Sequence, residues 1–172
     1  RDAVRHYMRM DLDLSERIFR AVPDPSKVVQ ILEARVVNGE GRDAFQFDLH
    51  DMIRLSLVYR VIEPVRGANL MLVLSREGTE IFCSFDTDSH PELLDHRAAG
   101  EHRCTVELPR HLLKAGTYSV SLGTGLVNHL GYEHLRDILT FEVDELSEDT
   151  TSRGYSRNRN GVIVAPVQWR EG

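Results

Sequence analysis

The chain has 172 residues, 41% hydrophobic and 28% charged, with a formal net charge of −6. That length can bury a sizeable core, and the acidic balance speaks against nucleic acid as a partner, which is bound through basic patches. No apolar run approaches the roughly 20 residues that cross a bilayer, so direct membrane insertion is not expected.

The N-terminal RDAVRHYMRMD lacks the apolar centre of a signal peptide. The chain starts at Arg1 rather than Met, so a piece of a longer protein is expected. Residues 1–22 read as helical. Val4, Tyr7 and Met8 share one face; Ile18, Phe19 and Val22 share another after a break at Asp11–Asp13. Asp13 and Glu16 have the spacing of a capping box, and Pro23 and Pro25 end the segment. We therefore expect a helical linker over 1–26 and a single domain over 27–172.

From there the signals are those of strands. Val28–Val37 is rich in β-branched residues, Asn38-Gly39-Glu40-Gly41 is a turn, and Phe45 and Phe47 mark a short strand. Asp51–Val61 reads as the longest strand, with Ile53, Leu55, Leu57, Tyr59 and Val61 on one face. Asn69–Ser75 and Thr79–Asp86 pair about Arg76-Glu77-Gly78. A polar loop, Thr87–Gly100, leads to a strand at Glu101–Leu108. A hairpin follows, with Tyr118, Val120 and Leu122 inward on its first arm and Leu139, Phe141 and Val143 on its second. Val162–Trp169 is expected to be a last strand. About nine short strands with no helical period after residue 22 predict an antiparallel β-sandwich of immunoglobulin-like or jelly-roll type.

Catalytic signatures are missing. There is no G-x-x-x-x-G-K-[ST] for nucleotide phosphates, and Gly123-Thr124-Gly125 reads as a turn. His129, Glu133 and His134 do not have the spacing of a metalloenzyme motif, and neither do His90, Glu92 and His96. No metal and no cofactor are expected. A nucleophile elbow is absent, and no carboxylate pair can be singled out for glycoside chemistry. Cys83 and Cys104 fall on the inward parity of their strands, which reads as two buried free thiols in a reducing setting. Arg153, Tyr155, Arg157 and Arg159 read as a solvated connector, with phosphate or sugar contact as the alternative.

One feature of the strands is suited to a ligand. Opposite the core face, Asp51–Val61 presents Arg54, Ser56, Val58 and Arg60; the next strands present Met71, Val73 and Ser75, then Phe82, Ser84 and Asp86. Small, apolar, aromatic and charged groups together suit a sugar, whose ring has apolar C–H faces and polar hydroxyls. The candidate carbohydrate-binding residues are therefore Arg54, Ser56, Phe82, Ser84 and Asp86, with Phe82 as the platform. The competing reading is a face covered by a partner chain or by the N-terminal helices.

Leu113, Gly116, Tyr118, Val120, Leu122 and Gly123, then Arg136, Asp137, Leu139, Phe141 and Val143, form L-x-x-G-x-Y-x-[VL]-x-[LV]-G … R-D-x-[LI]-x-F-x-V. That pattern, and the order of elements from about Val28 to Trp169, resembles the C-terminal domain of Wzt-type ABC transporter subunits, which export O-antigen and related polysaccharides. The resemblance implies a non-catalytic, homodimeric β-sandwich that binds a lipid-linked O-antigen-type polysaccharide. It also implies an ATPase module upstream, contact with the transmembrane subunit through that module, and a cytoplasmic place at the inner membrane. A ligand-free dimerisation or scaffolding module and a glycan-modifying enzyme are the alternatives.

Two expectations concern the end of the chain. Ser147–Asn160 is polar and long for a hairpin loop, and Val162–Val167 is apolar. A long hinge followed by a detachable strand suits domain swapping between protomers. Trp169, the single tryptophan, is expected to anchor that strand in the core, with a sugar platform as the alternative.

Overall fold

Alternation settles which side of several strands faces inward. Leu55, Leu57, Tyr59 and Val61 of the strand Arg54–Val61 are buried, while Arg54, Ser56, Val58 and Arg60 between them are half-exposed. The same rule holds for Leu70 and Leu72, for Tyr118, Val120 and Leu122, and for Leu139, Phe141 and Val143, as the hairpin pattern predicts. The computed structural model describes residues 18–127, 133–145, 160–164 and 167–170. The helix expected before residue 18, His129 and the arginine-rich connector lie outside them.

The described strands are β1 (Ile18–Arg20), β2 (Val29–Val37), β3 (Gln46–Asp48), β4 (Arg54–Val61), β5 (Ala68–Arg76), β6 (Thr79–Phe85), β7 (Gly100–Glu107), β8 (Gly116–Leu126) and β9 (Glu133–Asp144). They form a four-stranded sheet ordered β1-β2-β4-β7 and a five-stranded sheet ordered β3-β9-β8-β5-β6. All neighbours run antiparallel except β3 and β9. One core lies between the sheets, drawing Ile31, Ala34, Leu55 and Leu57 from the first and Leu72, Leu74, Val120, Leu122 and Phe141 from the second. The Phe141 ring stacks on Tyr118 at 5.3 Å and meets Phe47 edge-on at 5.8 Å. The expected all-β sandwich is therefore the observed architecture.

The L-x-x-G-x-Y stretch has a definite structural job. The Tyr118 hydroxyl accepts a hydrogen bond from Lys114 N–H at 2.9 Å and donates one to Lys114 C=O at 2.7 Å. This is a tyrosine corner, a device of immunoglobulin-type sandwiches that ties the start of a strand to the chain just upstream. Gly116 sits at φ +155°, and the Arg76 guanidinium packs so closely over it that a Cβ would lie 2.6 Å from Arg76 Nε. Leu113 fills the core beneath.

Several expectations are corrected. Ile18–Arg20 is a strand paired with Glu33–Arg35 rather than the end of a helix, because Phe19 packs onto the core from an extended backbone. β9, with twelve residues, is longer than the eight-residue β4. The polar loop after β6 contains a one-turn helix, α1 (Asp86–Ser89), and a 3-10 turn at Pro91–Leu94. Cys83 is exposed, since it pairs with Val73 on the outer face of the five-stranded sheet. Cys104 packs against the core as expected, and burial pushes its thiol up to about 11. The strand expected at Val162–Trp169 reduces, among the described residues, to a single bridge between Ile163 and Leu113. Trp169 is 93% exposed and is no core anchor.

Candidate functional site

The five residues expected on one face belong to two different sheets. After β4 the chain crosses at Ile62–Gly67 to the opposite sheet, so Arg54 and Ser56 lie on one layer and Phe82 and Ser84 on the other. Phe82 pairs with Leu74 and Ser84 with Leu72, which turns both toward the core rather than outward, and Phe82 packs against it. Asp86 begins α1, accepts a hydrogen bond from Leu70 N–H, and holds Arg97 at 2.7 Å. A single mixed face with Phe82 as platform is therefore not formed.

Arg54 and Ser56 do stay together, and they line a cavity of about 490 Å³ on the outer face of the four-stranded sheet. Register builds it. Arg35, Ser56 and Thr105 form one row across β2, β4 and β7; Val37, Arg54 and Glu107 form the next. Gly41, from the turn after β2, completes one side. That turn is tied by the Asn38 carboxamide oxygen, which accepts from Glu40 N–H and Arg42 N–H at 3.0 Å each.

The guanidinium groups are held, yet keep donors in reserve. Arg54 Nε donates to Glu107 Oε2 at 3.1 Å, and its Nη1 donates to Gly39 C=O at 2.8 Å. Arg35 lies between Glu33 at 3.5 Å and Asp43 at 3.7 Å, and its Nε makes no hydrogen bond. A guanidinium carries five N–H donors, more than these contacts use. The groove thus offers fixed planar donors, the Glu107 carboxylate as acceptor, two hydroxyls and the aliphatic side of Val37. None of its lining residues is aromatic. Among the described residues no group of three or more His, Cys, Asp or Glu side chains is arranged to hold a metal ion, and no helix is long and apolar enough to cross a membrane.

Arg35, Thr105 and Glu107 were not singled out from sequence. The signal was present in the alternation of EARVV and RCTVEL, which sets Arg35, Thr105 and Glu107 on the outward parity. What sequence lacked was the order of strands that places β2 and β7 on either side of β4.

Two antiparallel-dominated sheets over one core define this chain as a β-sandwich domain. Its fold matches the crystal structure of the C-terminal domain of Wzt with a TM-score of 0.61 at 12% sequence identity, covering 90% of this chain and 87% of that one. Residues 25–157 match the family described as the Wzt C-terminal domain, and the chain belongs to that family. No curated protein matches the sequence. Membership is consistent with a role in an O-antigen ABC exporter, and with the non-catalytic place that this domain holds in an ABC transporter subunit.

Proposed function

We propose that this domain recognises an O-antigen-type, lipid-linked polysaccharide without transforming it, and so gives an ABC exporter its substrate specificity. The observation that supports this most directly is the groove around Arg54 and Ser56. Its volume of about 490 Å³ is within the ~300–1,000 Å³ of small-ligand sites. Its Arg54 guanidinium and Glu107 carboxylate are held by hydrogen bonds of their own, which limits the entropy lost when a sugar is bound. With no aromatic platform, affinity comes from hydrogen bonds and is low per sugar unit.

In this reading the domain lies on the cytoplasmic side of the inner membrane. Residues 1–26 lead in from an upstream nucleotide-binding module, and that module meets the transmembrane subunit. The working unit is a homodimer in which the C-terminal segment is exchanged between protomers. The alternative, a scaffold with no ligand, draws on the exposure of Val167 and Trp169, which suits a contact with another chain.

Calorimetric titration with O-polysaccharide from the strain that encodes the chain tests the proposal. Saturable binding that is weakened in Arg54→Ala supports it. Absence of binding by the folded dimer, with the groove buried at its interface, would establish the scaffold instead.

A further inference from the structure

His50 and His111 are 61 residues apart, yet their Nδ1 atoms lie 3.2 Å from each other. His50 belongs to the β3–β4 loop and His111 to the β7–β8 turn. Their rings are tilted by 59° with centroids 5.1 Å apart. Because the two rings do not stack face to face, both Nδ1 lone pairs can converge on one point.

We propose that this pair is a two-imidazole site for a divalent transition metal of the zinc class. At metal–nitrogen distances of about 2.0–2.1 Å, a tetrahedral angle separates two ligating nitrogens by about 3.3–3.4 Å, and a right angle by about 2.9 Å. The observed 3.2 Å falls between these values, nearer the tetrahedral one. Neutral imidazole is the ligand form, and either ring nitrogen coordinates.

The backbone that carries each ring is held in advance. Asp51 Oδ2 accepts from Asp48 N–H at 2.7 Å, and Asp48 Oδ1 accepts from His50 N–H at 3.0 Å, which fixes the turn that carries His50. His111 stands at φ +60°, a left-handed backbone that a non-glycine residue adopts at a cost. That conformation brings its ring to His50 from a turn anchored on both sides, by Leu108 in the core and by the tyrosine corner at Lys114. The two imidazoles supply two of the ligand positions. Without metal one ring can donate its Nδ1–H to the other; when Nδ1 ligates the ion, that ring carries its proton on Nε2 instead.

A filled site clamps the β7–β8 turn to the β3–β4 loop. The same turn receives the returning C-terminal segment, through Val164 N–H to Leu112 C=O at 2.8 Å and Lys114 Nζ to Gly161 C=O at 3.1 Å. Metal is therefore expected to stiffen the edge against which that segment docks.

The test is calorimetric titration of the chain with zinc chloride in a non-chelating buffer, beside His50→Asn, His111→Asn and the double variant. Asparagine tolerates the left-handed backbone at 111, and His111→Gly serves if it does not fold. The site predicts one equivalent of zinc lost in each single variant, no further loss in the double, and a zinc-dependent rise in Tm confined to the parent. Other histidines account for any binding common to all. Equal stoichiometry in parent and His50→Asn, or ¹⁵N shifts that assign the bound nitrogens as Nε2, would overturn the proposal.

Discussion

Arg97 spans the sandwich to hold Asp86: its Nη2 donates to the Asp86 carboxylate at 2.7 Å and to Ala68 C=O at 3.1 Å, while Nη1 donates to the Tyr59 hydroxyl at 3.0 Å. Tyr59 is on the four-stranded sheet and Ala68 on the five-stranded one, so a single guanidinium, 1% exposed, joins both layers. Its planar fork suits this task, whereas a lysine offers one point charge. Removing one partner of a buried ion pair leaves the other uncompensated, at about 3–5 kcal/mol. Arg97→Leu is expected to lower the unfolding free energy by that order in urea titration. Asp86→Leu combined with Arg97→Leu is expected to lose less than the sum of the single changes. Additivity would mean that the two groups do not act as a pair.

Tyr118→Phe removes only a hydroxyl, but leaves the buried Lys114 N–H and C=O without their partner. The expected loss is about 1–3 kcal/mol, with the stacking on Phe141 retained. Gly116→Ala acts on the same corner by a different route. It strains a φ of +155° and displaces Arg76 from Ala115 C=O. Both variants are read by the shift in urea midpoint. An unchanged midpoint in Tyr118→Phe would mean that water replaces the phenol.

Sequence revealed more about faces than about neighbours. Alternation identified buried residues in β4, where one parity is wholly apolar, and over the shorter runs Tyr118–Leu122 of β8 and Leu139–Val143 of β9. In β6 the run Ile81-Phe82-Cys83-Ser84-Phe85 is apolar on both parities, so alternation could not decide that Phe82 faces in and Cys83 out. The sheet change between Val61 and Ala68 was equally hidden, since Glu63-Pro64 and Gly67 suit a hairpin as well as a crossover. Phe82, Ser84 and Asp86 lie apart from Arg54 and Ser56 for those two reasons. Contacts such as Lys27 with Glu133, 2.6 Å apart across the sheets, join residues with no local signal between them.

The two thiols should behave differently. Both thiols are pushed above the ordinary 9.0 chiefly by burial, Cys83 then by Asp88 and Cys104, to about 11, then by Asp86, but only Cys83 is exposed to a reagent. Thiolate is the reactive form, so a disulfide reagent at pH 8 is expected to modify Cys83 quickly and Cys104 at the rate of unfolding. A pKa higher in the folded state than the ordinary value of 9.0 favours the folded protein below pH 9. That contribution is lost as pH rises from about 9 to about 11. Cys104→Ala should flatten the decline in stability over that window; an unaltered slope would assign it to other groups, Tyr118 among them, whose pKa burial also raises.

Binding and stability should separate between the sheets. Arg54→Ala removes a half-exposed ion pair of little structural worth, and is expected to weaken glycan binding by about 1–3 kcal/mol at unchanged Tm. Phe82→Ala is expected to do the reverse. It opens space beside Leu74 and lowers stability by less than the ~3–5 kcal/mol of a fully buried phenylalanine, with binding intact. Lost binding in a stable Phe82→Ala protein would move the site to the five-stranded sheet.

The end of the chain carries the last prediction. Asn160–Val164 returns to Leu112–Lys114 with Ile163 bridged to Leu113 and Lys114 Nζ donating to Gly161 C=O, whereas Val167 and Trp169 are 68% and 93% exposed. Exchanging such a terminal segment with the same segment of a second copy re-forms identical contacts and so costs little. If the segment is exchanged as proposed, Trp169 is expected to cover the second copy. Trp169→Ala is then expected to weaken dimerisation while the Tm of the monomer stays unchanged. Deleting residues 161–172 should give a monomer whose exposed Leu112–Lys114 edge favours aggregation. A truncated chain that light scattering shows to be a soluble dimer would mean that the protomers meet elsewhere.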